Sequence, residues 1–124
     1  MIFGIGTDII EVARIKDAVE KYGERFKNRI FTEKEQAYCD SFNDNKYLHY
    51  AARFAAKESF SKAIGTGLTR GFKFRDVEVC NENNGKPYVT LYGDMAEKYC
   101  SYLIHISLSH TEGNAVAYII MEIL

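Results

Sequence analysis

Residues Arg53 to Gly67, RFAAKESFSKAIGTG, constrain the fold more than any other stretch of the chain. On a helix, Ala52, Ala55, Ala56, Ser59, Phe60 and Ala63 fall on one side at i, i+3, i+4 spacing, the mark of a buried face. The small alanines let that face approach another element closely. Arg53, Lys57 and Ser61 stack at successive i+4 steps across the other side, with Glu58 and Lys62 as a second pair beside them. Gly65 and Gly67 end the helix, because glycine takes the left-handed conformation of a C-cap without strain. The polar side sets three cations against one carboxylate and runs into Gly-Thr-Gly, where backbone can approach a ligand. A solvated face on an ordinary amphipathic helix is the plain alternative to a ligand site.

The stretch is not a P-loop, since it has no G-x-x-x-x-G-K and its glycines close a helix instead of opening one. A helix C-terminus carries negative partial charge and repels phosphate. Any phosphate held here is therefore held by side chains and a metal. Arg53, Lys57 and Lys62 are the right types for the first task, and Glu58 for a hard cation such as magnesium.

A chain of 124 residues suits one domain, 1–124, with one core. At this size about two-thirds of the unfolded surface can be buried, so folding requires neither a disulfide nor a metal. The net charge of −1 argues against a general nucleic-acid binder. Cys39, Cys80 and Cys100 are odd in number and lack C-x-x-C spacing, which reads as reduced, buried thiols in a cytoplasmic protein. No signal peptide and no membrane-length apolar run is expected.

Ile2–Ile10 reads as a strand whose Gly4 and Gly6 call for a close neighbour. Asp8 shares their face by the period of two. It is either a turn aspartate for the next helix or one half of a metal site. Val12–Phe26 is an amphipathic helix with Ile15, Ala18, Val19, Tyr22 and Phe26 inward. Arg14, Lys21 and Arg25 line its edge if the helix continues past Gly23, a basic stripe suited to an acidic partner or simply to solvent. Thr32 and Glu35 form a capping box for a helix to about Phe42, and a polar break at Asn43–Lys46 precedes the helix of Arg53. Phe74–Cys80 and Tyr88–Tyr92 form a hairpin around Glu82–Pro87. A short helix at Asp94–Tyr102 follows, then strands Ile104–His110 and Ala115–Ile123. The order β-α-α-α-β-β-α-β-β predicts an α+β fold with a largely antiparallel sheet and helices packed on it. His105, beside Ser107 and Ser109, is poorly placed for a Ser–His relay. As a phosphate donor it is reasonable.

Gly4-Ile5-Gly6-Thr7-Asp8-Ile9, Arg53 to Ala63, Gly65-Thr66-Gly67, Gly85-Lys86-Pro87 and Ile104 to His110 occur in one order along the chain. Together they resemble the short class of 4′-phosphopantetheinyl transferases, the holo-[acyl-carrier-protein] synthase family, over nearly the whole length. The longer transferases of the surfactin type carry a second acid two residues after the strand aspartate. That position is Ile10 here.

The resemblance implies that the chain moves the phosphopantetheine arm of coenzyme A onto a serine of apo-acyl carrier protein, in fatty acid biosynthesis, releasing adenosine 3′,5′-bisphosphate. By motif, Asp8 and Glu58 would hold magnesium against the pyrophosphate. Lys62 would stabilise the leaving oxygen, and Arg53, Lys57, Ser61 and His105 would contact coenzyme A. Gly65 with Thr66, and Lys86 with Pro87, would border the nucleotide. Glu58, directly or through metal-bound water, would accept the serine proton. Arg14, Lys21 and Arg25 would receive the acidic carrier. The family is typically a homotrimer with active sites at subunit boundaries. The competing readings are a magnesium-dependent pyrophosphate hydrolase, a nucleotide-binding module and a basic-helix adaptor. The first is weakened because the clustered glutamates of Nudix enzymes are absent. The second would leave Asp8 with Glu58 unexplained.

Overall fold

In the computed structural model, which describes residues 1–68 and 71–124, the alanine face of the central helix lies directly on a β-sheet. Strand β1 (Ile2–Glu11) leads into α1 (Val12–Ile30), α2 (Glu33–Asp40) and the long α3 (Lys46–Ala63). The hairpin β2 (Val77–Asn81) and β3 (Pro87–Leu91) comes next, then α4 (Gly93–Tyr99), β4 (Leu103–His110) and β5 (Asn114–Glu122). The α+β expectation holds, with every strand pairing among the described residues antiparallel. The strands divide into a three-stranded sheet, ordered β1-β5-β4, and the separate β2-β3 ribbon.

Alternation decides which face of the sheet is covered. Ala115, Ala117, Ile119 and Met121 of β5 are fully buried beneath α3. Gly4 and Gly6 of β1 face the same way. A Cβ built on Gly6 would sit 1.8 Å from the carbonyl oxygen of Ser59, and one on Gly4 would sit 1.9 Å from that of Ala63. Both contacts are with backbone, so the glycines are what allow β1 and α3 to touch. The opposite face, with Ile5 at 61 %, Ile9 at 69 % and Tyr118 at 51 % exposure, is apolar and bare.

Three local expectations change. Helix α1 runs to Ile30, but Gly23 breaks it with φ 60° and ψ −140°, a conformation open only to glycine. Tyr22, expected inward, consequently lies 58 % exposed. The start of the Phe74–Cys80 strand is a 3-10 turn over Phe74–Asp76. Of the three thiols, Cys39 and Cys80 are buried while Cys100 is exposed.

Candidate active site

Helix α3 carries functional side chains on two flanks. Arg53 and Glu58 are five residues apart, which turns them about 140° from each other around the axis. The sheet keeps the flanks separate. Asp8 of β1 and Leu108 of β4 both pair with Ala117 of β5, from opposite sides. Their strands thus lie roughly 10 Å apart, two ladder spacings.

On the β1 flank, Asp8 and Glu58 meet within hydrogen-bonding reach of each other. Burial, the Asp8 charge and the shared hydrogen bond push the Glu58 carboxyl up to about 7, against the pull of Lys62 and Arg14. Lys62 Nζ donates to the Thr7 carbonyl at 2.9 Å and to Asp8 Oδ1 at 3.2 Å. Its side chain stays 52 % exposed, so it can turn toward a substrate. Two carboxylates pressed together, one holding a proton near neutrality, are suited to exchange that proton for a hard cation. Among the described residues no group of three or more His, Cys, Asp or Glu could hold a metal. Water or substrate oxygens would complete such a shell. Gly65 and Thr66 follow on at the end of α3. Gly65, at φ 87°, and Gly67, at φ 59°, turn the chain, and the Gly67 N–H closes the helix on the Ser61 carbonyl.

On the β4 flank lies a pocket of about 270 Å³ bounded by Tyr38, His49, Arg53, Asn81, Pro87 and His110. Arg53 is only 2 % exposed. One of its terminal nitrogens donates to Asn81 Oδ1 at 2.6 Å, and the guanidinium lies 4.1 Å over the Tyr38 ring. Its Nε is buried without any partner. Asn81 in turn donates to the Gly85 carbonyl, which ties the pocket to the hairpin tip where Lys86 is exposed.

Lys57 and Ser61 belong to neither flank, which corrects their expected contact with coenzyme A. Lys57 is fully buried, and its ammonium donates to Glu35 Oε1 at 2.8 Å and to the Phe74 and Val77 carbonyls at 2.9 and 2.6 Å. All three of its protons are placed, leaving none for a phosphate. Burial pulls the Lys57 pKa down, with Glu35 opposing. Ser61 is 1 % exposed and donates to the Glu58 carbonyl within its own helix. Glu35 and Glu78 are buried at this junction, which no sequence period foretells. Glu35 accepts from Thr32 N and Val79 N as well as Lys57. Glu78 accepts from Thr32 Oγ1, Tyr92 OH and Cys80 Sγ. The capping box at Thr32 and Glu35 was the only sequence signal for this junction.

His105 lies apart from this pocket within the chain. It lies on the bare face of the sheet, opposite Ile120, and its Nε2 is 3.0 Å from Glu122 Oε1. The histidine in the pocket is His110, which shares the α3-facing parity of Ile104, Ile106 and Leu108. Arg14, Lys21 and Arg25 are exposed on α1, but Gly23 divides the stripe. Arg14 lies near enough to Glu58 to act on its charge, whereas Arg25 belongs past the break to a groove with Tyr22, Phe26 and Arg29.

With this geometry in hand, comparison with known proteins decides the family. Residues 4–119 match the model of the 4′-phosphopantetheinyl transferase superfamily. The chain belongs to this superfamily. It is 47 % identical to a holo-[acyl-carrier-protein] synthase of Protochlamydia amoebophila, over 95 % of this chain and 96 % of that one. A solved holo-(acyl-carrier-protein) synthase from Bacillus anthracis, in complex with CoA (3′,5′-ADP), superimposes with a TM-score of 0.85. It is 38 % identical over 100 % of this chain and 99 % of that one. The Helicobacter pylori synthase in complex with coenzyme A gives a TM-score of 0.84 at 28 % identity, over 95 % and 99 % of the two chains. Among the described residues no helix of this superfamily member is long and apolar enough to cross a membrane.

Proposed function

We propose that the chain, acting as one unit of residues 1–124, is a cytoplasmic holo-[acyl-carrier-protein] synthase serving fatty acid biosynthesis. It transfers the 4′-phosphopantetheine arm of coenzyme A to a serine of apo-acyl carrier protein. The observation that carries this reading is the Asp8–Glu58 carboxyl pair with Lys62 beside it. In the reaction the serine oxygen bonds to the phosphorus that bears the pantetheine, and the bond from that phosphorus to the bridging oxygen breaks. Adenosine 3′,5′-bisphosphate leaves. Asp8 and Glu58 are the residues that would hold magnesium, and the ion would supply charge neutralisation and polarisation of the phosphorus. Lys62 stabilises charge on the leaving oxygen. Glu58, directly or through metal-bound water, would accept the serine proton.

Arg53 and His110, with Asn81 and Pro87, receive the nucleotide end of coenzyme A in the β4-flank pocket. Gly65 and Thr66 border the pyrophosphate at the β1 flank, and exposed Lys86 stands at the pocket mouth. Within one chain the two flanks lie on opposite sides of β5. This separation, and the bare apolar face carrying Ile5, Ile9 and Tyr118, favour a homotrimer in which one subunit's acids work with its neighbour's pocket. Arg14, Lys21 and Arg25 serve the acidic carrier, with Arg14 closest to the reacting groups. Carrier affinity should therefore fall with rising salt more than coenzyme A affinity does.

Incubation with coenzyme A, magnesium and an apo-acyl carrier protein tests the reaction. A mass gain of one phosphopantetheine on the carrier is expected. An unmodified carrier, with coenzyme A hydrolysed at its pyrophosphate, would instead identify a hydrolase.

A further inference from the structure

The β4-flank pocket contains one more group than the transferase reading uses. His49 lies one helical turn before Arg53 on α3, so the two side chains share a flank. Its ring stacks on Phe42, with centroids 3.7 Å apart and planes 22° apart. It meets Tyr38 and His110 edge-on at 5.7 and 5.9 Å. Three aromatic neighbours thus fix the plane of the imidazole. Among the described residues, neither His49 nor His110 makes a hydrogen bond through a ring nitrogen, and the Arg53 Nε is buried without a partner. No carboxylate lines the pocket. This convergence of donors suits an acceptor with several oxygens.

We propose that His49 is a nucleotide-binding residue whose imidazole, held beside Arg53 and His110, donates to the phosphate monoester of coenzyme A and takes up a proton as that dianion enters. This rests on the transferase reading and adds to it a specificity determinant for the monoester. Coenzyme A carries two kinds of phosphate. The pyrophosphate is occupied with the Asp8–Glu58 pair and Lys62. The monoester, with a second pKa near 6, is mostly a dianion at neutral pH and needs concentrated positive charge. The groups facing His49 are Arg53 from its own helix, His110 from β4, and Tyr38 from α2. Burial, together with Arg53 and His110, holds the His49 pKa below the ordinary histidine value. An arriving dianion opposes both charge effects and favours the imidazolium.

Calorimetric binding of adenosine 3′,5′-bisphosphate and of adenosine 5′-monophosphate, in two buffers of different ionisation enthalpy, tests this in wild type, His49→Phe and His49→Gln. Phenylalanine keeps the stack on Phe42, and glutamine keeps a donor that does not titrate. For the bisphosphate, His49→Phe should weaken binding by about tenfold near pH 6.5 and by less near pH 8. His49→Gln should recover part of the affinity near pH 8 but lose the proton taken up by His49. Binding of the monophosphate should be unchanged in both variants. Wild-type affinity and proton uptake in both variants would overturn the proposal. So would wild type binding the bisphosphate no better than the monophosphate. The carrier-modification assay on the same wild-type preparation reports separately on the transferase reading.

Discussion

Lys57 and Lys62 sit five residues apart on the same helix, yet the junction around the first is saturated and the cluster around the second is not. Lys57 is surrounded by one carboxylate and two carbonyls and sees no solvent. Lys62 holds only the Thr7 carbonyl and one Asp8 oxygen and remains half exposed, beside two acids that crowd each other. A charge with every partner supplied by the fold can only support the fold. A charge short of partners is free to meet a substrate. The first arrangement stabilises α3 against α2 and β2, and the second keeps uncompensated repulsion at the surface, where a metal and phosphates can relieve it.

The sharpest way to break this contrast is at the saturated junction. Lys57→Met should destabilise the protein by about 3–5 kcal/mol, because it strands the buried Glu35 and two carbonyls. Chemical denaturation measures this, and a loss below about 1 kcal/mol would mean that the junction is not structural. At the open cluster the effect should reverse. Glu58→Gln should cut carrier modification by at least about a hundredfold without lowering the melting temperature above pH 7. The sign follows from linkage. The folded Glu58 pKa, about 7, is raised above its ordinary value of 4.5. The fold therefore holds this proton more tightly than the unfolded chain does. The group's contribution to stability falls as pH rises through that window, and it is not regained above it. An amide that never ionises escapes the loss, whereas a lower melting point at pH 8 would show Glu58 to be a structural residue.

Smaller effects refine the comparison. Lys62→Ala should lower turnover about tenfold while coenzyme A binding changes far less; unchanged turnover would remove Lys62 from the chemistry. Apparent magnesium affinity should fall by up to about tenfold per pH unit below pH 7, as the proton competes for the Glu58 carboxylate. A flat magnesium titration between pH 5.5 and 7 would mean that the ion does not displace that proton.

Much of the fold could be read from periodicity. The alanine face of α3, the capping box at Thr32, the hairpin and both long strands rest on local patterns. The acid pair was legible only through the family resemblance, because the residues by themselves left Asp8 open to a turn role. The fate of the charges was not legible. A run of Arg53, Lys57 and Ser61 at i+4 spacing reads as a polar surface unless Glu35, distant in sequence, is known to lie opposite. Ion pairs of that kind are tertiary facts with no period. The place of His110 in the pocket was missed for a related reason. Alternation places it and His105 on opposite faces but does not say which face the helix covers at the strand's end. At Gly23 the difficulty was one of backbone. Glycine permits both helix continuation and the break that the chain adopts.

The contact of β1 with α3 has a consequence for how the protein tolerates change. The gap between Asp8 and Glu58 is gauged by main chain against main chain, through two positions that admit no side chain at all. Rotamer adjustment cannot make up for a methyl group inserted there, because the obstructing atoms are carbonyl oxygens anchored in a helix. A lesion at Gly6 would thus disable the chemistry by spreading its acids apart while each acid remained in place. Screens that look only at charged residues would miss it.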